Sequence, residues 1–300
     1  MKKYNNFNKK KGKDLIHKAS DMGEVEWLST GIKALDYVMG GGLPKGRMVS
    51  IKGLQSVAKT SLSLSIIANA QKEGVPCVFV DAEWSLDLTH ANNLGVDLDQ
   101  LIVISPDMAE EAIEALETTV DEEMLIVVDS VAALSARAEA ESTINEPGIA
   151  LQARLMSRAL RKLTPLLAKT NSIIIWINQY RHNLMGGPYN PYTETGGAAL
   201  KFYTSVGLDL KRGTVFKEKE RVKGQEVKVS VIKNKVGPPG GKCVLEFLFE
   251  EGFTGKVPIL ESALEEGWIT KEGRTYYYQG EKIATSKDEA EQYINDNLLT

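Results

Sequence analysis

Very little in this chain could hold it together covalently or anchor it in a bilayer. It has two cysteines in 300 residues, Cys77 and Cys243. They lie far apart, with no Cys or His neighbour at metal-ligand spacing. That excludes a disulfide framework, and two lone thiols fit a reducing compartment. Cys77, inside V-P-C-V-F-V, reads as a core residue. No apolar run approaches the ~20 residues of a membrane helix, and the polar start does not resemble a signal peptide. The expectation is a soluble, cytoplasmic protein with no membrane partner. Internal repeats are absent, and so is low complexity beyond the N-terminus. A large net charge is missing too: 36 basic and 40 acidic side chains leave -4. Any nucleic-acid binding must therefore come from local basic surfaces and not from the whole-protein field. What remains is an ordinary globular composition, 43% hydrophobic, at a length suited to one large domain and a small one.

The most informative stretch runs from Val49 to Leu64, V-S-I-K-G-L-Q-S-V-A-K-T-S-L-S-L. A β-branched run leads to Gly53, then a loop (Leu54, Gln55, Ser56, Val57, Ala58), then Lys59-Thr60-Ser61 and an apolar helical pattern. Strand, loop and helix in that order are the context of a phosphate-binding P-loop. Its backbone N–H groups and the helix N-terminus favour polyphosphate. Lys59 would reach the outer phosphates and the Thr60 hydroxyl would hold Mg²⁺. The position before the lysine, usually glycine, is Ala58. It is read as an adaptation of the loop, which holds if its φ is negative, because a methyl is most costly where φ is positive.

The rest of the chain alternates. Lysine-rich residues 1–18 suit a solvated tail or a nucleic-acid-attracting arm. Ser29 or Thr30 is expected to cap a helix carrying Ile32, Leu35 and Val38, ended by Gly40-Gly41-Gly42. Apolar strands follow at Val78–Val80, Leu101–Ile104, Leu125–Asp129 and Ile173–Ile177, separated by helical patterns that include Leu151–Leu167. Such strands predict an α/β fold with a mostly parallel sheet covered on both faces. Arg181 to Gly197, without apolar periodicity, predicts a long functional loop. From Val206 the pattern alternates, which predicts an antiparallel extension, and a small α/β tail follows a Gly-rich junction near residue 253. The predicted domains are 1–27, 28–252 and 253–300.

Carboxylates stand at strand ends, where open α/β sheets place their ligands. Asp129 closes an apolar strand and would hold Mg²⁺ through water beside Thr60. Glu83 is the candidate general base for an attacking water. Gln179, at the end of the Trp176 strand, is placed to sense a γ-phosphate. Arg154, Ser157 and Arg161 share one helical face, which suits a phosphate backbone. The loop adds Arg181 and the bare amides of Gly196 and Gly197.

Together these pieces resemble the RecA family of DNA recombinases. The resemblance runs from about Leu28 through the tail. It is carried by S-T-G-I-K-A-L-D with G-G-L-P-K-G-R, the P-loop, V-D-A-E-W-S-L-D, I-V-V-D-S-V-A-A-L, A-R-L-M-S-R-A-L-R-K-L, I-N-Q-Y-R, T-G-G-A-A-L-K-F-Y and V-I-K-N-K. It implies a P-loop core with a small C-terminal domain and a homo-oligomeric helical filament on single-stranded DNA. ATP and Mg²⁺ would be the cofactors, and homologous duplex DNA the strand-exchange partner; mediator or single-strand-binding proteins are further partners. Glu83 would be the catalytic glutamate and Gln179 the sensor. Asp87 and His90 would hold the adenine, and Lys233 and Lys235, expected to alternate along one strand and so to point the same way, would reach the ATP of the adjacent protomer. Residues 144–150 and 181–197 would be the DNA loops. The departures are Ala58, His90 in place of a stacking tyrosine, Ser230 in place of a lysine, and no long acidic tail. They resemble phage-encoded members most. Two alternatives share the core: a non-hydrolysing recombination mediator and a hexameric helicase.

Overall fold

The computed structural model describes residues 18, 20, 23–134, 149–182, 192–194, 199–254, 260–265 and 267–298. Its centre is a 10-stranded sheet. In chain order the elements before the sheet are β1 (Trp27–Leu28), α1 (Lys33–Met39) and β2 (Leu43–Pro44). The nucleotide-side units follow: β3 (Met48–Gly53), α2 (Lys59–Lys72), β4 (Cys77–Asp81), α3 (Leu88–Asn93) and β5 (Leu101–Ile104). Next come α4 (Ala109–Thr119), β6 (Leu125–Asp129), α5 (Ile149–Thr170), β7 (Ile173–His182), β8 (Tyr192–Glu194) and α6 (Ala199–Tyr203). Then run β9 (Val206–Glu218), β10 (Arg221–Asn234), β11 (Lys242–Leu248) and β12 (Gly252–Phe253). Last are α7 (Leu260–Glu265), β13 (Ile269–Glu272), β14 (Thr275–Tyr278), β15 (Glu281–Ala284) and α8 (Lys287–Asn297).

The sheet order is β12-β11-β10-β9-β3-β7-β6-β4-β5. From β9 through β3 to β5 every pairing is parallel; from β9 to β12 it is antiparallel. The α/β class with a small C-terminal unit is therefore as expected. β9 joins both halves, since it runs parallel to β3 and antiparallel to β10.

Two-residue alternation along the strands splits the core into two layers. Val49, Ile51, Leu125 and Val127 pack with α1 and α2. Met48, Ile126, Val128 and Trp176 pack with α4, α5 and α6. α2 is buried over most of its surface, with Lys59, Ser61 and Ser63 buried beside Leu62, Leu64, Ile66 and Ile67. The C-terminal unit, a three-stranded sheet with α7 and α8, continues the first layer through Ile269, Tyr276 and Ile294.

Four local expectations need correction. The N-cap of α1 is Ile32, without a side-chain cap. The Ser29 and Thr30 hydroxyls donate instead to the half-buried Asp36 carboxylate, each at 2.6 Å, and the αL residue Gly40 ends the helix as expected. A half-buried carboxylate needs its donors more than a helix start near solvent needs a side-chain acceptor. The parallel sheet is not covered at its β5 edge, where Ile102 is 49% and Val103 42% exposed. The expected loop from Arg181 begins as strand: β7 runs to His182 and pairs with β8. Lys235 lies one residue beyond β10.

Candidate nucleotide site

The carboxyl ends of β3, β4, β6 and β7 meet where the P-loop leaves β3. Gly53 has to be glycine for space: a Cβ there would lie 2.6 Å from the Leu210 carbonyl oxygen. Ser56 and Ala58 both have positive φ, 58° and 62°. Ala58 is thus left-handed, contrary to the expectation of a relaxed negative φ, and the loop tolerates a Cβ strain that glycine lacks. The buried Gln225 on β10 braces the loop by donating to the Ser56 carbonyl at 3.1 Å. No local pattern marked Gln225, because its partner lies 169 positions away.

Lys59 opens α2 and donates to the Leu54 carbonyl at 2.7 Å. Burial lowers its pKa, while the Asp129 and Glu83 carboxylates pull it back up. Thr60 Oγ1 donates to Asp129 Oδ2 at 2.5 Å. Burial pushes Asp129 up to about 6, with Glu83 and Asp81 adding to the rise and the Thr60 hydrogen bond and Lys59 opposing it. The donor set fits a divalent cation: a hydroxyl and a carboxylate in contact, the carboxylate short of positive charge. No cluster of three His, Cys, Asp or Glu metal ligands occurs among the described residues, and magnesium commonly takes one or two protein ligands with phosphates and water.

Glu83 follows β4 on a turn clamped by Asp81, which accepts from the Ser85 and Leu86 amides at 3.1 and 3.0 Å. Glu83 Oε1 accepts from Ser130 Oγ at 2.5 Å and from Gln179 Nε2 at 2.9 Å. Both donors fix the direction of the carboxylate. Oε2 has no hydrogen bond among the described residues, which leaves a lone-pair face for water. The structure therefore joins the sequence-predicted Lys59, Thr60, Glu83, Asp129 and Gln179 in one cluster. Ser130 was missed, though it directly follows Asp129. At the side of the P-loop helix, Ser61 Oγ lies 2.9 Å from His90 Nε2. Asp87 caps α3 by accepting from the His90 amide at 3.0 Å, and His90 meets Phe247 edge-on.

Other expected residues stand apart. Lys233 donates to the Lys201 carbonyl and Lys235 to the Phe202 carbonyl at 2.8 Å, both at the end of α6. Burial, then Lys235 and Lys52, hold Lys233 down to about 8. On α5, Arg154 and Arg161 are exposed and Ser157 half-buried, while Leu160 and Leu163 are buried. The Arg181 side chain, Gly196 and Gly197, most of residues 144–150 and most of 1–27 lie outside the described residues.

Residues 2–254 match the family model for the RecA N-terminal domain. Proteins named RecA are similar along most of the chain. The one from Thioalkalivibrio sulfidiphilus is 43% identical over 292 residues, 95% of this chain and 85% of the relative. The one from Mannheimia haemolytica is 44% identical over 291 residues, 95% and 79% of the two chains. The Wolbachia protein, from the symbiont of Drosophila simulans, is 41% identical over 290 residues, 96% and 82%.

Proposed function

The chain belongs to the RecA family, and we propose on that footing that it is an ATP-dependent recombinase that assembles on single-stranded DNA and pairs it with a homologous duplex. One observation carries the mechanism. Lys59 and Thr60 from the start of α2, Glu83 after β4, Asp129 from β6 and Gln179 from β7 converge at the strand ends, where Thr60 bonds Asp129 and Gln179 bonds Glu83. Bound Mg-ATP supplies a phosphoryl group ready for in-line attack by water. Lys59 would exchange the Leu54 carbonyl for a phosphate oxygen, and Thr60 with Asp129 would hold the cation. Glu83 takes a proton from the attacking water at its free Oε2 face. Gln179 links that carboxylate to the segment that begins at Arg181.

Lys233 and Lys235 are assigned to the ATP of the adjacent protomer, with Asp87 and His90 at the base. Arg154, Ser157, Arg161, Arg181, Gly196 and Gly197 are assigned to DNA. The domain limits are assigned as 1–27, 28–252 and 253–300; the family match ends at residue 254, near the second limit, and runs on through the first segment from residue 2. No described helix is long and apolar enough to cross a membrane, which supports a cytoplasmic location. Ala58 and His90 support a phage-type member. The left-handed Ala58 also favours a second reading, a non-hydrolysing mediator that works with another recombinase. Phosphate release measured with and without single-stranded DNA separates the two: DNA-stimulated release is expected, and none at any nucleotide concentration would leave the mediator.

A further inference from the structure

On one face the sheet turns from apolar to polar along its strands. Met48 and Trp176 belong to the core beneath α5. Further along on that side come Lys52 on β3, Asn178 and Tyr180 on β7, and Asp209 on β9. Lys52 is in register with both Asn178 and Asp209, so their side chains share a face. All three are buried, at 6%, 1% and 8% exposure. Buried charge is tolerated only with partners. Asp209 has two: Tyr180 Oη donates to Oδ1 at 2.7 Å, and Lys211 Nζ lies 3.6 Å from Oδ2.

Tyr180 stands between Gln179, which donates to Glu83, and Arg181, where the family's second DNA segment begins. Successive strand residues point to opposite faces. A pull on the segment after Tyr180 therefore acts against the Asp209 tie on one face and on the Gln179 amide on the other. The tie resists gradual stretching, because breaking it leaves a buried carboxylate short of a donor. We propose that the Tyr180–Asp209 pair is a positioning tie through which DNA held by the segment after Tyr180 sets Gln179 against Glu83. Neither residue touches the reacting atoms. The inference rests on the recombinase reading.

Tyr180→Phe removes the donor and keeps the ring. Steady-state ATP turnover is measured with and without an oligo-dT strand, and strand affinity by fluorescence anisotropy. The variant is expected to keep its DNA-free rate within about twofold and its KM for ATP, and to lose about tenfold of the DNA-stimulated kcat. Asp209→Ala should reproduce that split. Asp209→Asn, which keeps an acceptor oxygen, should recover most of it. The double variant Tyr180→Phe, Asp209→Ala should be no worse than either single one, since partners in one contact are not additive. Wild-type stimulation in Tyr180→Phe, additive losses, or a loss of strand affinity instead of stimulation would each overturn the tie. A wild-type protein without DNA-stimulated turnover would overturn the recombinase reading itself.

Discussion

Two buried or half-buried lysines meet main-chain carbonyls in this protein, and their surroundings differ in sign. Lys59 donates to the Leu54 carbonyl with two carboxylates nearby, which offset part of the burial that lowers its pKa. Lys233 donates to the Lys201 carbonyl among other lysines, and its pKa falls to about 8. The first site holds its own counter-charges before any nucleotide arrives. At the second, the charges acting on Lys233 are those of Lys235 and Lys52, so a phosphate at that place would be attracted strongly once water is excluded. That contrast supports a division of labour: Lys59 serves the chain's own nucleotide, and Lys233 with Lys235 serves a neighbour's.

The largest expected effect tests the first half. Lys59→Ala should abolish ATP turnover without loss of fold, as read by phosphate release and circular dichroism; near wild-type turnover would remove the P-loop assignment. Glu83→Gln should follow, with nucleotide still bound and hydrolysis down ~10²-fold or more, in the range for losing a general base. Nucleotide affinity falling as far as turnover would make Glu83 structural.

The sharpest test of the contrast mixes chains. Lys233→Ala, Lys235→Ala protein should bind ATP normally as a dilute monomer and fail in DNA-stimulated hydrolysis. Mixed with Glu83→Gln protein it should regain part of the activity, because some interfaces pair intact lysines with an intact Glu83. No recovery at any ratio, with co-assembly shown, would return the lysines to their own chain's site.

A smaller effect follows from the charge state of Lys233. A lysine with a depressed folded pKa weighs against the folded state where it is charged. Its contribution to stability is therefore complete above the unfolded lysine range and is lost as pH falls through about 8. Turnover has the opposite demand, since only the cation pairs with phosphate. DNA-stimulated turnover should decline as pH rises past the pKa of Lys233, which bound phosphate raises above about 8. Lys233→Arg, which stays charged, should extend the alkaline limb. An unchanged pH profile in that variant would remove Lys233 from turnover.

The smallest effect concerns Ala58. Glycine at φ 62° should relieve ~1 kcal/mol of backbone strain. That strain is present before nucleotide binds, so Ala58→Gly should raise thermal stability and leave ATP affinity near the wild-type value in calorimetric titration. Several-fold tighter binding would mean that the loop is more strained with nucleotide bound.

Much of this was legible in residue order because it is local. The strand, loop and helix around Lys59 are consecutive, and so are the apolar runs that end in Asp81, Asp129 and Gln179. Apolar strands separated by amphipathic helices have few ways to bury their faces besides a parallel sheet, so the fold class could be read from periodicity. The carboxylates at strand ends could be read as ligand-facing for the same reason. What the chain order could not contain was the partner of each polar group across the sheet. Ser29 and Thr30 have two kinds of partner in reach, the amide donors of a helix start and the Asp36 carboxylate, and the partial burial of Asp36 favours the carboxylate. Ser130 reaches Glu83 because β6 lies beside β4, and Gln225 reaches Ser56 because β10 folds back past β9. Tyr180 meets Asp209 because both flank β3 in the sheet. Periodicity depends on neighbours a few residues apart and is therefore fixed by sequence. Hydrogen bonds to buried charge depend on which strands become adjacent, and that is settled only when the sheet has formed.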